Sequence, residues 1–369
     1  MKNRKELGSG ESRGRVPWCD LPKELLETIA HSLLTRVDVC RVRAVCKSWR
    51  SSIPPFQKPI SLPLEFAVPY PNPSHRSHPN MLLLTESTIY LLSPNSQAST
   101  SISTRSKTAS WGWLVKVQEQ EACRFRVINS ISCQPSHRFP TFPKSINLLD
   151  LRVSELAKAY SVRFPNNGFT QKVVFSSSSP DDCPCPSLMR INAGFLFYLK
   201  IVDGSDWTLI DDTVSQLDYE DVTLYKNRFC AVDKYGRVVV IDSSSLKVTE
   251  IASPFKGEND GNSKILLVES SGELLLVERL REKPHFKVFK LNAKEREWVE
   301  VKSLDDKVMF LGGDCSFCVA AKDFGNGCKG DCILFTDYCS TFSVFNLEDS
   351  SLKPVQKHPG YNKIFYLPP

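Results

Sequence analysis

From Leu21 to Trp49 apolar residues recur three and four positions apart, the interval that lines one face of an α-helix. Asp20-Leu21-Pro22 opens the first stretch. Asp20 is placed to cap it, Pro22 suits a first turn where its missing N–H is not needed, and Glu24 favours the positive end of the dipole. Leu25, Leu26, Ile29 and Leu33 then form one face. A second helical stretch is predicted from near Asp38, with Val39, Val42, Val45, Cys46 and Trp49 as its stripe. Arg41, Arg43, Lys47 and Arg50 fall on its other faces, and Pro54-Pro55 stops it. A module of about 40 residues buries little surface alone. Its apolar positions outnumber what so small an interior takes, so part of the face is left to cover a partner.

Beyond Pro59 the period changes. Short runs of Val, Ile, Leu, Phe and Tyr alternate with turn residues, the pattern of β-strands joined as hairpins. Met81–Thr85 with Thr88–Leu92, Arg228–Asp233 with Arg237–Asp242, Ile265–Glu269 with Glu273–Arg279, and Phe286–Leu291 with Glu297–Val301 read as such pairs. Single runs fall at Gln171–Phe175, Gly194–Ile201, Trp207–Ile210, Asp221–Tyr225, Cys315–Ala320, Cys332–Thr336 and Thr341–Leu347. Leu148–Ala159 is the best helix candidate in this half. So many short strands exceed one sandwich and point to a β-propeller or a related closed assembly. The fold class is therefore α+β multidomain: a polar tail over 1–16 that reads as disordered, a helical module over 17–58, and a mostly-β, propeller-like domain over 59–369. Pro69–Asn80, Ser93–Ser110 and Ser176–Pro186 read as surface loops.

Charge separates the two halves. Of 47 Lys+Arg and 41 Asp+Glu, residues 1–58 hold 12 and 6, which leaves 35 of each for residues 59–369. The net charge of +6 thus sits wholly in the head. A nucleic-acid reader usually carries its basic face on the main domain, so no nucleic-acid partner is expected. A basic head on a neutral body suits an acidic protein partner. Apolar runs such as Ile265–Val268 are far shorter than the roughly 20 residues of a membrane span, and no secretory h-region is visible at the N-terminus. Asn72-Pro73-Ser74 is blocked for glycosylation by its proline. Thirteen cysteines, an odd count in a long chain, fit reduced thiols and a nuclear or cytoplasmic setting.

Candidate chemistry is sparse, and no catalytic, metal or cofactor residues are assigned. Gly325-Asn326-Gly327-Cys328-Lys329-Gly330 spells G-x-G-x-x-G, but a strand-like run follows where a dinucleotide site needs a helix N-terminus. A Gly-rich hairpin loop is the better reading. Cys315, Cys318, Cys328 and Cys332 could in principle bind zinc. A spacing of three along a strand turns Cys315 and Cys318 to opposite faces, so buried free thiols fit better. Cys183 and Cys185 lie in a Pro-rich loop, His75 and His78 in another, and His31 on the first helix. Asp181-Asp182, Asp211-Asp212 and Asp305-Asp306 point apart in extended chain and read as turn residues. Trp111, Trp113, Trp207 and Trp298 read mostly as β core.

The segment Leu21-Pro22-x-x-Leu25-Leu26-x-x-Ile29, followed by Asp38-Val39-x-x-Val42-Arg43-x-Val45-Cys46-x-x-Trp49-Arg50, resembles an F-box from about Trp18 to Phe56. Val39 stands where that family usually has Leu, and Ala30 where a larger aliphatic is common; each trims buried area at about 0.8 kcal/mol per methylene. The rest resembles the propeller-type domain behind the F-box in a large plant group, once catalogued as a domain of unknown function. Gly112-Trp113-Leu114, Phe229–Val232 with Gly236-Arg237, Gly313-Asp314, Cys328–Asp337 and Val344–Asp349 carry that likeness. The resemblance implies a non-catalytic substrate-recognition subunit of an SCF-type cullin ubiquitin ligase. Leu21, Pro22, Leu25, Ile29, Val42, Val45, Cys46 and Trp49 would dock the Skp-type adaptor, and through it cullin, or hold the small core behind the docking face. The β domain would hold a protein target that the sequence does not name. The alternative is a non-degradative scaffold or a small-ligand-binding propeller that carries an F-box. An enzyme built on the Gly325–Gly330 loop ranks below both.

Overall fold

The computed structural model describes residues 18–33, 35–56, 64–67, 81–94, 112–121, 124–131, 151–163, 170–177, 185–201, 206–212, 218–255, 263–280, 282, 284–325, 328–336, 342–357 and 362–365. The chain divides into two compact units, Met1–Lys58 and Pro59–Pro369.

The first unit holds three helices: α1 (Lys23–Ser32), α2 (Arg36–Arg43) and α3 (Lys47–Ser52). Asp20 does not cap α1. It ends a 3-10 turn, Trp18–Asp20, and the N-cap is Pro22, whose φ of −54° leads straight into the helix without a side-chain bond. α2 begins two residues before the predicted start, because Thr35 caps it. Thr35 Oγ1 accepts from the Asp38 N–H at 3.1 Å and donates to the Asp38 carboxylate at 2.6 Å, a reciprocal clasp. The predicted single second helix is in fact two. It closes at Ala44, and Cys46 in extended conformation caps α3 through its sulfur, 3.5 Å from the Trp49 N–H. Arg43 holds the bend by donating to the carbonyls of Arg50 and Ile53. The break turns Trp49 inward, where it joins Leu26, Val39 and Ile53 in a buried core.

The second unit is built of strands. The first nine are β1 (Leu64–Ala67), β2 (Met81–Pro94), β3 (Trp113–Glu121), β4 (Arg124–Ile128), β5 (Leu151–Arg163), β6 (Thr170–Ser176), β7 (Ser187–Asn192), β8 (Phe195–Lys200) and β9 (Thr208–Leu209). They form one sheet in the order β4-β3-β2-β5-β6-β7-β8-β9, with β1 on β2. β10 (Tyr219–Tyr225), β11 (Arg228–Asp233), β12 (Val238–Ile241) and β13 (Val248–Ala252) form a second. β14 (Ser263–Ser270), β15 (Glu273–Leu280), β16 (Phe286–Asn292) and β17 (Glu297–Val301) form a third. β18 (Lys307–Leu311), β19 (Ser316–Ala320), β20 (Cys332–Thr336), β21 (Phe342–Asn346) and β22 (Leu352–Pro354) form the last, ordered β19-β18-β20-β21-β22.

Two local predictions fail here. Leu148–Ala159, predicted helical, lies largely in β5, which pairs with β2 from Leu83↔Arg163 to Pro94↔Leu151. That ladder outweighs a composition that suits a helix. Met81–Thr85 and Thr88–Leu92 are not a hairpin but one strand, β2, running through a buried Ser87. The Ser271-Gly272 turn is where the pattern placed it, whereas the Lys226-Asn227 turn joins β10 to β11, a hairpin the pattern did not name. Lys226-Asn227 and Ser271-Gly272 both have positive φ at each residue, the geometry that matches strand twist in two-residue hairpins.

The packing layers close a ring. The long sheet spans two blades, β1–β5 and β6–β9, joined where β5 pairs with β6. Leu82, Leu84 and Val162 of the first blade pack on Val173, Phe175 and Leu188 of the second. Met189 and Tyr198 face Phe229 and Val239 of the third. Cys230 and Val240 face Ile265 and Leu276 of the fourth, and Val268 and Phe286 face Met309 and Phe335 of the fifth. Phe310, Phe317 and Leu334 of the fifth return to Ile89, Leu91 and Leu114 of the first, with Ile364 and Phe365 from the C-terminal turn sealing that junction. Five blades among the described strands thus enclose five apolar layers, the propeller arrangement.

Candidate functional site

The helical module leaves large apolar side chains uncovered. Leu26 is fully buried, but its neighbour Leu25 is 51% exposed, since adjacent helix positions lie about 100° apart. Val45 is 52% exposed in the bend between α2 and α3, and Trp18 63% exposed in the leading turn. Pro22 is also exposed. Leu21, Ile29, Val42 and Cys46 are half-buried against the core. Trp49 is buried, and its Nε1 donates to the Trp18 carbonyl at 2.8 Å. The eight residues singled out from the sequence thus separate: Pro22, Leu25 and Val45 present surface, Trp49 holds the core, and the other four do both. Trp18 belongs with the surface set and is missing from the eight. Its place immediately before the Asp20-Leu21-Pro22 opening was the available signal.

In the propeller the distinctive chemistry is buried. Lys116 on β3 and Asp314, between β18 and β19, pair through both carboxylate oxygens at 2.6 Å, with side chains 0% and 2% exposed. Lys172 on β6 pairs with Asp221 on β10 at 2.8 Å, and the other oxygen of Asp221 accepts from the Leu267 N–H of β14 at 2.9 Å. Glu220 accepts from the Ile265 N–H at 2.8 Å. These bonds tie successive blades together. Arg237 forms a further node, donating to Asp212 at 2.8 Å and to Glu250 at 2.8 Å, while the Tyr219 hydroxyl donates to Asp212. Arg190 on β7 is 2% exposed, and its Nε and Nη1 have no hydrogen-bond partner among the described residues. It lies 5.5 Å from the Trp207 ring centroid, and burial alone pushes its pKa down to about 10.

The thiols sort by layer. Cys315 packs with Ile89 and Phe310, whereas Cys318 packs with Val268 and Met309, so the two face different cores. Burial pushes Cys315 up to about 12, Cys318 to about 11 and Cys230 to about 12, far from thiolate chemistry. No cluster of three or more His, Cys, Asp or Glu placed to hold a metal occurs among the described residues. Gly325 ends a 3-10 turn at φ +87°, and the strand β20 follows Gly330, so among the described residues the G-x-G-x-x-G stretch leads into a strand and not a helix N-terminus. Asp212 is engaged by Arg237, and Asp305 and Asp306 occupy left-handed turn positions. Trp207 and Trp298 pack against blade cores, and Trp113 is half-buried on β3. Trp111, His75, His78, Cys183 and Asp181-Asp182 lie outside the described residues, and His31 lies in α1.

Residues 18–54 match the F-box-like family, and residues 81–353 match the KIB1-4 beta-propeller family. The chain is an F-box protein of the KIB1-4 beta-propeller family. It is 31% identical over 403 residues to F-box protein SKIP23 of Arabidopsis thaliana, covering 96% of this chain and 95% of that protein. It is 28% identical over 397 residues to F-box protein At2g17036 of Arabidopsis thaliana, covering 96% and 94%. The F-box match falls on the three-helix module, and the propeller match spans all five blades. No helix among the described residues is long and apolar enough to cross a membrane.

Proposed function

We propose that this F-box protein is the substrate-recognition subunit of an SCF-type ubiquitin ligase. The observation that carries the reading is an F-box whose Leu25, Val45 and Trp18 are left in water. Large apolar groups on so small a module favour a partner that covers them. The partner is a Skp-type adaptor. Pro22, Leu25 and Val45 supply the contact, Leu21, Ile29, Val42 and Cys46 shape the surface from half-buried positions, and Trp49 fixes the helices behind it. Cullin joins through the adaptor. The propeller holds a protein target near the ubiquitin-loaded conjugating enzyme, so the contribution to catalysis is proximity. The chain itself supplies no reacting group, and it works in the nucleus or cytoplasm.

The experiment mixes full-length protein with purified Skp-type adaptor and cullin and reads co-elution by size exclusion. A three-component complex that Leu25→Asp with Val45→Asp abolishes supports the reading. Failure of the unaltered chain to bind adaptor would refute it and favour a scaffold or ligand-binding propeller.

A further inference from the structure

The fourth and fifth blades leave an opening between them. Where β14 turns into β15, a cleft of about 490 Å3 lies between the two facing sheets, within the size range of ligand sites. Its floor is apolar, made by Leu275 on β15 and Leu304 ahead of β18, both buried. Leu275 pairs with Lys290, and Lys290 with Val299. Residues opposite one another in a sheet share a face, so this row runs from the floor outward to the edge strand β17, where Val299 is 51% exposed. Lys290 is paired with Glu273 at 2.5 Å, and the two charges cancel. Lys307 enters from the fifth blade. It is half-buried, and its ammonium meets the Ser270 hydroxyl at 3.5 Å, with no carboxylate within ion-pair distance among the described residues. Asp305, also in the lining, is exposed, where water serves it.

We infer that this cleft takes an anionic side chain of the target protein, seated on Lys307, with an aliphatic residue of the same extended segment laid on Val299. The inference rests on the reading of the propeller as the target-binding half of the chain. An ammonium drawn partly out of water and left without a counter-ion attracts an incoming carboxylate or phosphate more strongly than a fully solvated lysine does, because the local dielectric is lower. The Glu273–Lys290 pair beside it is neutral as a whole and leaves that attraction to Lys307. In an extended peptide, residues two positions apart point the same way, so the matching segment carries an acidic or phosphorylated residue and an aliphatic residue at that spacing.

Lys307 differs in this from the lysines that hold the ring together. Lys116 is matched by Asp314 and Lys172 by Asp221, each at hydrogen-bond distance, so neither has charge to offer a ligand. Lys307 faces a cleft instead, and the apolar floor beneath it gives the hydrocarbon stem of an incoming side chain a surface to cover. The exposed Val299 extends that surface to the rim.

The test applies labelled full-length protein to an array of capped peptides on a glycine–serine background. Each peptide places glutamate, glutamine, phosphoserine or serine two positions before leucine. The glutamate peptide, the phosphoserine peptide or both should retain about ten-fold more protein than their uncharged counterparts. Retention by glutamate assigns a carboxylate as the natural group, and retention by phosphoserine alone assigns a phosphate. Lys307→Met should remove the difference, while Lys247→Met, which deletes an exposed lysine in the third blade, should keep it. Val299→Asp changes an exposed position and should also remove the difference, so it carries the test if Lys307→Met does not fold. Equal retention of charged and uncharged peptides, or a difference that survives both Lys307→Met and Val299→Asp, would overturn the inference. The array contains no adaptor, so its failure strikes the cleft alone, whereas failure of adaptor co-elution strikes the ligase reading.

Discussion

Lys116→Met should destabilise the propeller by about 3–5 kcal/mol, because it strands a buried carboxylate. Asp314 is 2% exposed and receives the Lys116 ammonium on both oxygens at 2.6 Å. At an effective dielectric near 20, a contact of that length gives roughly 6 kcal/mol of attraction. Desolvating the two ions costs several kcal/mol each, so the intact pair lies near break-even against apolar residues of similar size. Removing one ion keeps the other's desolvation cost and loses the attraction. Lys116→Met with Asp314→Leu removes both terms and should lie within about 2 kcal/mol of the unaltered protein. The pair joins the first blade to the fifth, so the loss should fall on ring closure. Equilibrium urea unfolding at neutral pH, followed by tryptophan fluorescence, measures all four corners of the cycle. Single variants within 0.5 kcal/mol of the unaltered protein, or a double variant less stable than both singles, would refute the reasoning.

Three further changes test other parts of the fold. Gly236→Ala should cost about 1–3 kcal/mol in urea unfolding, since Gly236 has φ +83° and a Cβ there would lie 2.1 Å from the Phe255 ring. Arg190→Met should raise stability by about 1–3 kcal/mol, because it removes a buried guanidinium whose Nε and Nη1 are unpartnered among the described residues; a loss of stability would show that the Trp207 contact outweighs burial. The Asp242 carboxylate is held well below the ordinary carboxylate range by the Ser244 hydroxyl, and by the backbone and hydroxyl of Ser245. Its folded pKa is depressed, so its stabilisation is present above the unfolded value of about 3.9 and fades as pH falls through the folded one. The thermal-stability gap between the unaltered chain and Asp242→Ala should therefore be widest near neutral pH and shrink below about pH 4.

The parts of this fold legible in the sequence are those set by local rules. Leu26, Val39 and Trp49 recur at helical spacing and are buried together. The β14–β15 hairpin follows from alternation around Ser271-Gly272, whose positive φ values fix the turn. What depends on distant partners was not legible. Leu151 to Tyr160 has a composition that suits a helix, and only its ladder with β2 makes it a strand. Lys116 and Asp314 look like ordinary surface charges until the ring brings the first and fifth blades together. The site divides in the same way. Its residue types were readable, but periodicity placed Leu25 and Leu26 on one face, and only the packing shows that one is core and the other surface. The Cys46 cap and the break at Ala44 leave no mark in apolar spacing, because the bend is made by one thiol and the Arg43 guanidinium.

The central claim is that the uncovered apolar residues of the F-box, rather than its buried core, make the adaptor contact. Isothermal titration of purified Skp-type adaptor into the full-length chain, and into Leu25→Asp with Val45→Asp, tests it most directly. Anchors of this kind are typically worth 2 kcal/mol or more each, so each change alone should weaken binding about 30-fold and the double change roughly 1,000-fold, while the far-ultraviolet circular dichroism stays the same. Equal affinity for both proteins, with both folded, would contradict the account.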